Sequence, residues 1–208
     1  MSDSELEPHF SKHRLEALCD GIFAIAMTLL VIELKLPEEL HGANANEVGA
    51  QLLRLMPLLM SWLLSFLVLA IFWIAHYRLF SYLKHVTMPL IWLTVWTLGA
   101  ASLLPFSSSL NSQHSSFLSQ SIYSANMILL SLGTIFSMRY LYKHPQICSH
   151  TIGKGVYHAA QFRALGLIFL AALALGVSPY LPPGAGNMCF ALMPLIVSFA
   201  ARIQKRYQ

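Results

Sequence analysis

The chain has 208 residues, of which 56% are hydrophobic and only 11% are charged. Soluble domains carry about 25% charged residues, so this deficit points to lipid as the solvent and excludes an ordinary soluble domain. The formal net charge of +4 could suggest a nucleic-acid partner, but the basic residues flank apolar segments, a pattern that membrane orientation explains better.

Several apolar stretches approach or exceed the roughly 20 residues that span a bilayer as a helix. We therefore predict an all-α membrane protein, with one transmembrane domain over residues 1–208 and no soluble domain. The alternation of apolar and polar residues that marks a transmembrane barrel is missing from the sequence. The six predicted helices cover residues 15–34, 51–78, 86–106, 118–141, 159–178 and 185–203.

Two of the segments between these helices consist of uncharged turn residues. The runs SSSLNSQHSS and PPGAGN are uncharged and rich in residues typical of turns. Helix 1 could be mistaken for a secretory signal, but Asp20 interrupts its start and no small-residue cleavage site closes it, so we expect it to be retained. The three cysteines are odd in number and scattered, which indicates neither a disulfide framework nor a zinc site, and we predict no cofactor.

Charge sets the predicted orientation. Most Lys and Arg residues flank the two chain ends or lie around the helix 2–3 and helix 4–5 connections, while Lys35 and Arg54 lie on the other side. The positive-inside rule therefore places both termini in the cytoplasm, and we expect a multi-pass protein of the plasma (inner) membrane. All nine acidic residues lie at or before Glu47, so any acid chemistry belongs to helix 1 or its flanks.

A carboxylate lies near the start of helix 1. Asp20 follows Arg14 by six residues, about 9 Å along a helix axis, which places it near the inner interface. Helix 2 returns to the same side with Trp73 and His76 just before Arg78. Two interpretations remain open: a polar clamp or proton site built from these residues, or an aromatic and basic belt that only anchors helix 2 at the headgroups.

The run RLEALCDGIFAIAMTLLV, from Arg14 to Val31, is followed by a helix 2 that ends in F-W-x-x-H, with Trp73 and His76, and by Leu-Pro-Phe at 104–106. Together these segments resemble prokaryotic members of the lysosomal potassium channel family, transmembrane protein 175. The run departs from the family pattern at two positions, Leu18 and Cys19, where the family prefers Phe and Ser.

The resemblance implies a homotetramer of six-helix subunits in which four copies of helix 1 surround a central potassium-permeable pore. The pore constriction would map to Ile25, Leu29 and Ile32, and a ring that affects ion preference would map to Thr28. Like the family, the sequence lacks the TVGYG filter of ordinary potassium channels. A structural polar network of the family would map to Arg14, Asp20, Trp73 and His76.

The helix period agrees with one pore-facing stripe. At 100° per residue, Leu29 and Ile32 fall within about 40° of Ile25, Thr28 lies on the flank at about 60°, and Asp20 lies about 140° away. Rings of branched aliphatic side chains can close a pore by dewetting. However, such a stripe is more often ordinary packing or lipid contact, and Thr28 could simply bond to a carbonyl of its own helix.

We predict a passive potassium channel and not an enzyme. An intramembrane hydrolase would need a carboxylate pair, a Ser/His arrangement or metal ligands, and the sequence offers none of these at a suitable spacing. The alternative is a proton- or ion-coupled secondary transporter, which would want broken helices and ionisable groups near the bilayer midplane.

Overall fold

The computed structural model describes residues 11–34, 45–114, 116–180 and 185–207. Within these ranges the chain forms six helices that are long and apolar enough to cross a membrane, and no strand. This confirms the expected all-α membrane fold. The α-helices are α1 (Lys12–Leu29), α2 (Ala45–Ser81), α3 (Met88–His114), α4 (Phe117–Lys143), α5 (Lys154–Val177) and α6 (Met193–Arg206).

Helix α3 is longer than the sequence pattern predicts. It continues through Pro105 to His114, so residues expected to form a turn are helical. Membrane helices tolerate proline, and serine side chains in them commonly bond back to carbonyls of their own helix. Ser107 donates to the carbonyl of Leu104 at 3.1 Å, and Ser112 bonds in the same way to the carbonyl of Ser109. These serines act within the helix and not as turn residues.

The last membrane span begins as a tighter helix. Ala185–Leu192 form a 3-10 helix, and α6 begins at Met193, with Pro194 in its first turn. Proline fits that position because the first turn of an α-helix has no partner for its N–H groups. The α-helix of this span therefore starts well after residue 185, where the sequence pattern placed it.

Neighbouring helices in the bundle are mostly neighbours in sequence. Helix α1 packs against α3 and α2, while α4 lies between α3 and α5, and α5 packs against α6. Small residues bring α4 close to α3: a Cβ atom at Gly133 would collide with the side chain of Thr97. Close approach through small side chains is typical of helices that associate in lipid.

A buried polar network joins four of the spans at one end of the bundle. Asn111 in α3 donates to Gln120 Oε1 in α4 at 3.0 Å and to Asn187 Oδ1 at 2.7 Å. Asn187 donates to Ser61 Oγ in α2 at 3.3 Å, and Ser119 Oγ donates to Asn111 Oδ1 at 3.2 Å. We call these five residues the amide network. It ties α2, α3, α4 and the start of the last span together.

The other end of the bundle carries the basic residues, and we call it the basic end. Here Lys12 at the start of α1 donates through Nζ to the carbonyl of Leu83, which follows α2, at 3.0 Å. The amide N–H of Lys84 donates to the carbonyl of Ile147 at 2.9 Å, joining the α2–α3 and α4–α5 connections. The bond of Lys12 aligns the start of α1 with the end of α2.

Replacement of Asn111 by Ala should destabilise the folded chain by about 1 to 2 kcal/mol, because each polar contact between membrane helices contributes about 0.6 kcal/mol on average and several would be lost. Thermal unfolding in detergent measures the effect. Ser112→Ala, one residue along and bonded only within α3, is the control. Equal melting temperatures for the two variants would contradict a stabilising role for the amide network.

Candidate functional site

Helix α1 has one face buried in its own chain. Leu15, Cys19, Phe23, Ala26 and Leu30 are buried and recur every three or four residues, so they form a single stripe along the helix. This stripe packs against α2 and α3. The contact fixes the rotation of α1 about its axis and therefore decides which side chains point away from the bundle.

The predicted constriction residues lie on the other side of this span. Ile25 is 60% exposed, Leu29 42% and Ile32 63%. The α-helix ends at Leu29, and Ile32 belongs to the 3-10 turn that follows. The described part of the chain therefore leaves a continuous aliphatic stripe uncovered.

Thr28 is exposed beside this stripe. Its hydroxyl donates to the carbonyl of Ile25, one turn earlier, at 2.8 Å. The hydroxyl proton is therefore engaged within α1, as the sequence analysis allowed. The oxygen retains capacity to accept, because a hydroxyl has two acceptor lone pairs beside its single donor.

The acid near the start of α1 is bonded to α2. The indole N–H of Trp73 donates to Asp20 Oδ1 at 2.8 Å. A hydrogen bond to an ionised group is stronger than one between neutral groups. This bond joins α1 and α2 close to the basic end, at the depth where the sequence places both residues.

His76 lies between the same two helices and is more buried than Trp73. It is buried, and its ring lies 5.7 Å from the ring of Phe23 and 6.1 Å from that of Phe80, measured between centroids. Neither ring nitrogen has a hydrogen-bond partner among the residues that the structure describes. A cavity of about 170 Å³ is lined by both His76 and Asp20. Asp20 and His76 therefore face the same cavity, and no hydrogen bond between them is found among the described residues.

Arg14 is not part of this contact within one chain. It is exposed, and six residues of helix place it about 120° from Asp20 around the axis. No hydrogen bond or ion pair is found for its side chain within the described ranges. The structure thus brings Asp20, Trp73 and His76 to one place and leaves Arg14 pointing elsewhere.

Glu16 has partners that are absent from the sequence-based predictions. Its carboxylate lies 3.6 Å from Lys12 Nζ and 3.3 Å from His13 Nδ1. The pair with Lys12 has the i,i+4 spacing of ordinary helix ion pairs, so the signal was present in the sequence. The contact with Lys12 supplies Glu16 with a cation of its own. Within the described ranges, no group of three His, Cys, Asp or Glu side chains is placed to hold a metal ion.

The family model and two of the relatives that match this chain carry the name of a potassium channel. The family model described as endosomal/lysosomal potassium channel TMEM175 matches residues 14–105. A protein from Streptomyces collinus named a potassium channel is 31% identical over 125 residues, which cover 57% of this chain and 59% of that relative. Another protein of that name, from Chamaesiphon minutus, is 29% identical over 190 residues, covering 86% of this chain and 90% of the relative.

A solved structure has the same fold. The crystal structure of a lysosomal potassium-selective channel TMEM175 homolog from Chamaesiphon minutus superimposes with a TM-score of 0.71 at 22% identity, covering 91% of this chain and 97% of that one. The six-helix arrangement described above is therefore that of this channel structure.

The bond between Trp73 and Asp20 should contribute about 1 kcal/mol to stability, as expected of a hydrogen bond that is partly open to solvent. Trp73→Phe keeps an aromatic ring but removes the N–H donor, and should lower the melting temperature in detergent. Trp92→Phe, at an exposed position of α3, is the control. In a double-mutant cycle with Asp20→Ala, the two changes should be less than additive, and full additivity would mean that the bond contributes nothing.

Proposed function

We propose that this chain, which is similar to the TMEM175 family over residues 14–105, forms a homotetrameric channel that conducts potassium ions passively. Four copies of α1 would line the pore. The aliphatic stripe of Ile25, Leu29 and Ile32 carries the proposal, because the described residues of the chain leave it uncovered. The relatives named as potassium channels support the choice of ion.

In this arrangement each stripe residue would form a ring of four side chains. A narrow aliphatic ring excludes water, and an ion then meets a barrier until the ring widens or hydrates. Thr28, on the flank of the stripe, would present four hydroxyl oxygens next to the Ile25 ring and influence which cation passes. The stripe would thus serve as the gate and the threonine as the site of ion preference.

A small-residue face of α1 favours close approach of neighbouring copies. Ala17, Gly21 and Ala24 are exposed and lie on the same flank as Thr28. Nothing in the described chain lies within 4 Å of where a Cβ atom of Gly21 would be. Small residues allow helix backbones to approach closely in a membrane. Adjacent α1 helices could pack along this flank while the branched stripe faces the axis.

Asp20, Trp73 and His76, near the basic end, would support the pore and not line it. Asp20 lies about 140° from Ile25 around α1 and bonds to Trp73 of α2. Arg14 points away from Asp20 of its own chain, so we infer that it meets the Asp20, Trp73 and His76 cluster of a neighbouring copy. The four residues would then form a clamp between subunits.

The distribution of charge supports one orientation. Basic residues concentrate at the end that holds the start of α1 and the end of α6. By the positive-inside rule this end would face the cytoplasm, with the protein in the plasma membrane. The permeant ion would then enter the cytoplasmic mouth past the clamp before it reaches the aliphatic rings.

Flux measurements test the proposal against a coupled transporter. Purified protein in liposomes with an imposed potassium gradient should carry potassium down the gradient without a second substrate, and the rate should follow the membrane potential. Liposomes without protein are the control. Transport that saturates and needs a proton or sodium gradient would contradict passive conduction.

Ile25→Asn should raise potassium conductance, because an amide ring would hydrate the constriction. A barrier lowered by about 1.4 kcal/mol corresponds to about a tenfold increase. Val31→Asn is the matched control: this residue is exposed in the 3-10 turn of the same span but is not part of the stripe. Equal conductance of the two variants, with assembly intact, would place the gate elsewhere.

A further inference from the structure

A cavity at the basic end is separate from α1. It lies between α2, α4, α5 and α6 and has a volume of about 440 Å³, within the usual range for ligand pockets. Three cationic side chains line it: Arg78 near the end of α2, Arg163 in α5 and Lys205 in the last turn of α6. The proposed pore involves none of these residues.

No carboxylate of this chain's described residues balances these cations. The last acidic residue of the sequence is Glu47, which is in the first turn of α2, at the end opposite Arg78. The structure describes no hydrogen bond or ion pair for the guanidinium of either Arg78 or Arg163. The positive charges of the two arginines instead interact unfavourably with each other. The cavity therefore has a positive potential that an anion would relieve.

Arg163 lies far inside the bundle for a charged residue. It follows Lys154, the first residue of α5, by nine residues, or about 13 Å along the axis, and it is half-buried. Holding a guanidinium in such a place costs free energy unless an anion or acceptor pairs with it. The depth indicates a ligand whose charge lies below the aqueous surface.

The packing of α6 keeps Lys205 at this cavity. A Cβ atom at Gly155, in the first turn of α5, would lie 2.8 Å from the carbonyl oxygen of Gln204 and 3.0 Å from Cβ of Tyr207. Only glycine permits this approach, which holds the end of α6 against the start of α5. The backbone position of Lys205 is therefore fixed next to the cavity by the contact between the two helices.

An apolar groove continues from the cavity towards the middle of the membrane. This groove, between α2 and α6, has a volume of about 330 Å³ and shares Ile71 and Met193 with the cationic cavity. It extends along α2 to Val68 and Leu64, and Val68 precedes Arg78 by ten residues, or about 15 Å along the axis. Cationic and apolar surfaces thus follow each other along the membrane normal, in the order of a phospholipid headgroup and its acyl chain.

We propose that this cavity and groove bind one anionic glycerophospholipid. Its phosphate would pair with Arg78 and Arg163, whose planar groups suit phosphate oxygens, and Lys205 would lie at the rim. One acyl chain would occupy the groove between α2 and α6. Basic pockets between membrane helices are suited to such headgroups. A free phosphate would satisfy the cations but leave the apolar groove without an occupant.

Lipid retention on the purified full chain tests the proposal. Protein in detergent is incubated with phosphatidylglycerol or phosphatidylcholine, and bound lipid is counted by native mass spectrometry. Wild type should retain phosphatidylglycerol in preference to phosphatidylcholine. Arg78→Gln and Arg163→Gln should each weaken retention about fivefold, the effect expected of one cation near a membrane surface. Arg139→Gln, an exposed arginine of α4 outside the cavity, should leave retention unchanged.

A second pair of variants separates a lipid from a soluble anion. Leu67→Trp would fill the groove and should reduce phosphatidylglycerol retention, whereas Leu103→Trp, at an exposed position of α3, should not. Glycerol phosphate should not displace the lipid at equal concentration, because it cannot use the groove. Equal retention of the two lipids, equal effects of Arg163→Gln and Arg139→Gln, or displacement by glycerol phosphate would each overturn the proposal. None of these readouts depends on ion conduction.

Discussion

Helix α1 is apolar on two sides, and the described part of the chain covers one of them. The buried side, from Leu15 to Leu30, is held by α2 and α3, which fixes how the helix is turned. Because the rotation of the helix is fixed in this way, the side with Ile25 and Ile32 faces away from the bundle. In lipid an exposed aliphatic stripe carries no penalty, so apolarity alone does not require a partner. The stripe supports a pore together with the small residues beside it, Gly21 and Ala24, which would let neighbouring copies of α1 approach closely.

The distribution of satisfied polar groups marks which side of the bundle needs a neighbour. In the amide network, Asn111 and Asn187 bond to residues of several spans, so polar atoms buried among α2, α3 and α4 find partners within the chain. Near the basic end, His76 of α2 has no described hydrogen-bond partner, and Arg14 of α1 lies about 120° from Asp20 around the helix axis. Unpaired polar groups inside a membrane are costly. Arg14 is exposed on the side of α1 where the aliphatic stripe is also uncovered, so a second copy placed there would offer it a partner, whereas His76 is enclosed within its own chain.

Much of the architecture could be predicted because helices in lipid must be long and apolar. The six spans follow from hydropathy alone, and the Trp73–Asp20 contact follows from antiparallel α1 and α2 with aligned ends. Rotation about a helix axis is harder to read. Depth places His76 in the layer of Asp20, but packing turns its ring towards Phe23 and Phe80. Sequence spacing contains no information on that rotation until the neighbouring helix is known.

The amide network was missed for a different reason. Asn111 lies in a run of serines that is typical of a turn, and Pro105 suggests that the helix has ended. In lipid, serine hydroxyls bond back to their own helix and proline is tolerated, so the same residues extend α3. The available signal was the set of amide side chains, Asn111, Gln120 and Asn187, placed next to apolar spans. Amides at such positions indicate helix contacts more than loops, because each needs a partner inside the membrane.

Acidic and basic residues are separated along the chain. Acidic residues occur only up to Glu47, and the described ion pairs, between Glu16 and its neighbours Lys12 and His13, are local to α1. Helices α4 to α6 contain several basic residues and no acid, so no carboxylate of their own can neutralise Arg163 in its half-buried position. Cations at a headgroup boundary find their counter-charge in lipid phosphates, at about 1 kcal/mol for each Lys or Arg. In the proposed assembly α1 would face the other subunits and α5 and α6 would face the bilayer. The axis of assembly and the lipid contacts would then lie on different sides of the same subunit.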